Sequence, residues 1–108
     1  MKNLKIEFKN IAASEARKVT LAGNLTSMDA IEFKRSLLHT MQKDTKDYFI
    51  DITELKSIDV TGVNALAMAH KKAERAGFKA IILSSAENPA DEFLHLTKFK
   101  NILNFQKS

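Results

Sequence analysis

The chain has no cysteine and no tryptophan, and only 3 glycines and 1 proline among its 108 residues. Without cysteine, neither a disulfide framework nor a thiolate metal site can form. A reducing compartment is permitted by that absence, though not required. The few glycines exclude phosphate-cradling loops of the Walker or dinucleotide type, which need several to bring backbone close to phosphate. There is no Gly-x-Ser-x-Gly elbow, so the usual parts of nucleophilic catalysis are missing. No apolar run approaches the length of a membrane span. Met1-Lys2-Asn3-Leu4-Lys5-Ile6-Glu7-Phe8-Lys9 alternates charge with apolarity, unlike the continuous core of a signal peptide. The expectation is a cytoplasmic protein without direct membrane insertion.

What is present suits a folded domain. Hydrophobic residues make up 44% and charged residues 28% of the chain, which separates it from disordered sequences. At this length one domain over residues 1–108 is expected, with roughly two-thirds of the unfolded surface buried. The formal net charge is +4. Lysines are scattered among acids, apart from the Lys71-Lys72 pair and Lys98, Lys100 and Lys107 near the end. That reads as a solvated face and gives no nucleic-acid surface. His39, His70 and His95 sit at no metal-ligand spacing, so no metal or cofactor is expected, and the chain reads as a binding protein, not an enzyme. The absence of tryptophan and the scarcity of glycine give no support to a small-molecule ligand.

Periodicity orders the elements. Lys5 to Ile11 alternates as a half-buried strand, with Ile6, Phe8 and Ile11 facing in, and Arg17 to Leu25 follows as its hairpin partner across Ala13–Ala16. Gly23-Asn24 suggests a bulge or a close backbone approach. Thr26 and Ser27 are both suitable caps for a helix to about Lys43, with Ala30, Phe33, Leu37 and Met41 in one stripe. Tyr48 to Ile52 reads as a central strand covered on both faces, followed by a short polar break. Gly62 to Ala76 is a second helix ended by Gly77, and Lys79 to Ser84 another buried strand. Asn88-Pro89 opens a third helix to about Phe99, and Ile102 to Phe105 a last strand. The order implies an α/β fold with three to four helices, a mostly parallel central sheet and an N-terminal antiparallel edge hairpin. Asp51 at a strand end invites comparison with phospho-accepting receivers. Those need an acidic pair after the first strand, where this chain has Ala12-Ala13-Ser14-Glu15.

The most informative stretch is Ile50-Asp51-Ile52-Thr53-Glu54-Leu55-Lys56-Ser57-Ile58-Asp59-Val60-Thr61-Gly62-Val63. A strand running into a helix start presents backbone N–H groups backed by the positive end of the helix dipole, a place for an anion or a partner's carboxylate. Asp59 is positioned to accept from the N–H groups of Thr61 and Gly62. This stretch resembles the signature of STAS domains, the family of anti-sigma-factor antagonists and sulfate-transporter tails. Gly23-Asn24-Leu25-Thr26 and Lys72-Ala73-Glu74-Arg75-Ala76-Gly77-Phe78 fall where the family's other landmarks lie, so the resemblance covers nearly the whole chain.

The resemblance implies the STAS fold and a regulatory binding function of the anti-sigma-factor antagonist type. It implies a docking surface at Asp59, Val60, Thr61 and Gly62, joined by Ala65 and Met68 of the second helix and by Asn24 and Thr26. The partner would be an anti-sigma factor or a kinase-like regulator. The alternative is a stand-alone STAS subunit bound to the ATPase and permease of an ABC-type (lipid) transport complex. Homodimer formation stays open. One departure matters: regulated members carry a phosphorylatable Ser or Thr where this chain has Val60. Thr61 is the next hydroxyl and the candidate phosphosite in its place.

Overall fold

The computed structural model describes residues 3–11, 16–43, 46–85, 88 and 104–107. Five strands and two helices are defined among them: β1 (Leu4–Ile11), β2 (Ala16–Leu25), α1 (Ser27–Lys43), β3 (Tyr48–Ile58), α2 (Val60–Arg75), β4 (Ala80–Ser84) and β5 (Asn104–Lys107). They form one sheet in the order β1-β2-β3-β4-β5. β1 pairs antiparallel with β2, and every later neighbour is parallel. The edge hairpin and the mostly parallel sheet are therefore as expected. Of the three to four helices expected, two lie among the described residues. The third, from Asn88 to Phe99, falls outside them except for Asn88, as does the Ala13–Ser14–Glu15 turn.

The sheet follows from its side chains. Val19, Leu21 and Leu25 on β2, Ile50 and Ile52 on β3 and Ile82 on β4 are fully buried, as are Phe33 and Leu37 on α1. Each such side chain contributes about 1.5–3 kcal/mol by leaving water. Tyr48 is buried too, so the centre of the sheet is covered as its aromatic and β-branched run implied. On α2 the buried residues are Gly62, Val63, Ala65, Leu66, Ala67, Ala69 and Ala73. That arc is too wide for one sheet face, and α2 also packs against α1. Small residues at Ala65, Ala69 and Ala73 let the helix sit close to its neighbours.

The polar break expected after Ile52 is instead more strand. Thr20 pairs with Asp51 and Leu25 with Ile58, so β3 spends two more residues than β2 over the same stretch, with register shifts on the way. Bulges of this kind change the inward spacing. The buried residues run Ile52, Leu55, Ile58, three apart and not two. The extension carries Ile58 to the end of the sheet beside Leu25, and the backbone N–H of Asp59 reaches the carbonyl of Leu25 at 3.4 Å.

Two glycines have the conformations expected of them. Gly77 has φ +82° and closes α2, with its N–H donating to the Glu74 carbonyl at 3.1 Å and that of Phe78 to Ala73 at 2.8 Å. This is a Schellman closure, and Phe78 packs against the core behind it. Gly23 has φ +103°, and a Cβ there would lie 2.2 Å from the carbonyl oxygen of Asn3. The N–H of Asn24 donates to that same oxygen at 2.9 Å, fixing the start of β1 to the end of β2.

Candidate functional site

The ends of β2 and β3 bring the starts of α1 and α2 side by side. Asp59 is extended (φ −120°, ψ −171°) and caps α2. Its Oδ1 accepts from the Gly62 N–H at 3.0 Å and from the Thr61 hydroxyl. Its carbonyl accepts from the Val63 N–H at 3.0 Å, the first turn of the helix. Its second oxygen, Oδ2, reaches the other helix and accepts from the Ser27 N–H at 3.0 Å. One carboxylate therefore occupies the positive end of α2 and ties in the start of α1. The anion suited to this turn is supplied by the chain itself.

Burial alone would raise the Asp59 pKa. The hydrogen bonds from the Thr61 hydroxyl and from the backbone of Gly62 and Ser27 favour the charged form and outweigh it, so the carboxyl titrates below the usual range. Ser27 is held at φ +51°, a left-handed conformation that a residue with a Cβ adopts at some cost. The capping carbonyl of α1 belongs to Thr26, which accepts from the Ala30 N–H at 3.2 Å. Ser27 is the helix's first residue instead of a side-chain cap.

Gly62 is a packing residue. A Cβ there would lie 2.3 Å from the Leu25 carbonyl oxygen and 2.6 Å from Ile58 Cγ1, so only hydrogen fits where α2 crosses the end of β2. Asn24 is half-buried, and its Oδ1 accepts from the Ser57 hydroxyl at 2.7 Å, strapping β2 to β3. Asp51 accepts from the Thr53 N–H at 2.9 Å and its hydroxyl at 2.7 Å, and lies 3.6 Å from Lys18. These bonds give Asp51 a role within the sheet.

Of the residues assigned to the docking surface, Val60 is the most open at 74% exposed, and Thr61 and Thr26 are half-buried. Ala65 is 0% exposed and Gly62 is buried, so neither offers contact area; both face the interior because α2 is covered by the sheet and by α1. Met68, 38% exposed, lies eight residues beyond Val60, about 12 Å along the helix, and lines a different depression. One residue was missed. Met28, next to Ser27, is 66% exposed. Its signal in the sequence was a large apolar residue in the first turn of α1 that lies off the Ala30-Phe33-Leu37-Met41 stripe. Met28 and Val60 directly follow the two residues joined by the Asp59–Ser27 bond, an exposed apolar pair around a satisfied polar centre.

The family model described as "Mlab, STAS domain" matches residues 10–104. The chain belongs to the STAS family. No curated protein matches this STAS domain significantly in sequence. Among solved structures, an anti-sigma factor antagonist from Mycobacterium paratuberculosis is similar with a TM-score of 0.80 at 12% identity, over 94% of this chain and 84% of that one. The anti-sigma factor antagonist SpoIIAA in its unphosphorylated form gives 0.73 at 13%, over 96% and 89%. The murine anion transporter Slc26a9 gives 0.67 at 13%, over 94% of this chain and 19% of that one. At these identities the structures establish a shared fold. The same fold occurs in anti-sigma factor antagonists and in part of an anion transporter.

Proposed function

We propose that residues 1–108 act as one STAS domain, a non-enzymatic protein that docks a partner protein through the paired helix starts and does so without a phosphorylation cycle. Val60 carries this reading. The position that bears the regulatory hydroxyl in regulated members presents an exposed isopropyl group here, and Met28, which follows the bonded Ser27, is exposed as well. The neighbouring hydroxyl, Thr61, is engaged with Asp59. Phosphorylating it would break that bond and set a group of about −1.5 to −2 charge against a carboxylate. The surface is built for permanent contact.

Of the two partner classes implied by the family resemblance, a constitutive apolar contact favours the ATPase and permease of an ABC-type (lipid) transport complex, which need a bound subunit and no switch. The second reading, an anti-sigma factor or kinase-like regulator, is supported by the likeness to two antagonist folds. In that case release would come from competition or turnover instead of phosphorylation. Affinity purification of the tagged chain from its own host separates them. Stoichiometric ATPase and permease subunits support the transport reading; a kinase-like regulator or sigma factor supports the other. Recovery of neither, from detergent-solubilised and soluble fractions alike, removes both.

A further inference from the structure

Five of the 17 lysines and arginines line two adjoining depressions on the helical layer. At the far end of the helical layer from the Asp59 cap, the second halves of α1 and α2 enclose an open groove of about 530 Å³. Its apolar side chains are Leu38, Met41 and Met68, and its cations are Lys71, Lys72 and Arg75. A second depression shares Leu38 and Gln42 with it and continues along α1, adding Ile31, Lys34, Arg35 and His39. Neither lining contains an acid. The ion pairs among the described residues leave all five lysines and arginines of the two linings unpaired; the nearest acid on α2, Glu74, turns to His70 at 3.6 Å.

Helix ends attract cations, and Lys72 and Arg75 in the last turn of α2 are partly accounted for that way. Lys34 and Arg35 are not, because they lie in the middle of α1. Like charges gathered along adjoining depressions repel one another, and the apolar surface left open at Met68 (38% exposed) and half-buried Leu38 is costly in water. Both costs are relieved by one kind of occupant. We propose that this groove receives an acidic amphipathic helix of a partner protein, laid as a third helix against α1 and α2. The two adjoining depressions together span Ile31 to Gln42, roughly 16 Å along α1 or about three helical turns, one lined by α1 alone and the other by both helices. Apolar residues of the incoming helix at one-turn spacing would meet Leu38, Met41 and Met68, and glutamates on its flanks would meet the cations. The concave form suits a helix better than a flat lipid surface. This surface is distinct from the cap proposed as the docking site and does not depend on it.

The test uses the full chain and two synthetic helical peptides of identical apolar face, one with glutamate on its polar face and one with lysine. Binding is followed by fluorescence anisotropy at low and high salt, and located by methyl chemical shifts. The acidic peptide should bind saturably, weaken with salt, and shift the methyl groups of Leu38, Met41 and Met68 while leaving Met28 and Val60 in place. Lys72→Glu combined with Arg75→Glu should weaken it about tenfold or more, and Val60→Asp should leave it unchanged. Equal binding of the lysine peptide, shifts centred on Met28 and Val60, or an affinity untouched by the charge reversal would overturn the proposal. So would tight binding to phosphatidylglycerol-rich vesicles with no saturable peptide binding, which would make this a membrane-facing surface.

Discussion

The backbone N–H of Ser27 donates to Oδ2 of Asp59 at 3.0 Å, across 32 residues of sequence. With Oδ1 committed to the Thr61 hydroxyl and the Gly62 N–H, both oxygens of one side chain are used up in joining two helix starts. The carboxylate is satisfied from within, and the residues that follow its two ends, Val60 and Met28, are exposed apolar side chains. Asp59→Ala removes the cap and strands the Ser27 N–H. The expected loss is about 2–3 kcal/mol, read from urea unfolding, with Asp59→Asn losing about 1 kcal/mol because it keeps an acceptor for Gly62. Equal losses in the two variants would mean that the carboxylate acts through charge alone.

The same side chain sets an acid dependence. Burial pushes its pKa up, but the hydrogen bonds prevail, and the folded value lies below the usual 3.8. Between those two values the unfolded chain binds more protons than the native one. The stabilisation is complete above the unfolded pKa and is lost as the pH falls through the folded pKa. Wild type should therefore lose more stability than Asp59→Asn when acidified through this window, and Thr61→Ala, lacking one of the bonds that lower the pKa, should lose less than wild type. Parallel pH profiles for wild type and Asp59→Asn would show that Asp59 does not titrate as described.

Gly62 and Gly77 separate two reasons for glycine. Gly62→Ala must place a methyl group 2.3 Å from the Leu25 carbonyl oxygen, where the nearest obstacle is backbone, and a loss of about 3 kcal/mol is expected. Gly77→Ala meets nothing within 4 Å, and its cost comes from φ +82° alone, about 1 kcal/mol. Chemical denaturation of both variants should give that order.

Thr61 should not be a phosphosite. Incubation with kinases of the source cell, followed by intact mass measurement, should show no added phosphate that disappears in Thr61→Ala. Stoichiometric modification lost in that variant would restore a switch at this turn.

Much of this was legible in the sequence where the deciding forces are local. The Asp59 cap, the Gly77 closure and the α1 stripe of Ala30, Phe33, Leu37 and Met41 each depend on residues within a turn or two, and each is in place. The length of β3 was not legible. Its bulges space the buried residues Ile52, Leu55 and Ile58 by three, which hides the strand period. The exposure of the residues proposed for docking was half legible. An open Val60 follows from its place in the first turn of α2, whereas Ala65 and Met68 could not be sorted into buried and exposed, because the face of α2 that α1 covers is fixed by packing between distant segments. Met28 escaped for the same reason: only the bond from Ser27 to Asp59 brings its turn beside Val60. Of the basic lining only the Lys71-Lys72 pair stands out in the sequence; its neighbourhood with Lys34 and Arg35 of α1 comes from the packing of the two helices.

The most direct test is the partner affinity of Val60→Asp, measured by titration calorimetry with the partner recovered by affinity purification and accompanied by an unfolding curve. A carboxylate in the first turn of α2 is favoured by the helix dipole, so the fold should be unharmed. A contact centred on Val60 and Met28 requires binding to weaken at least about tenfold, from desolvating a charge at an apolar interface. Unchanged affinity in a folded variant would contradict docking at the paired helix starts.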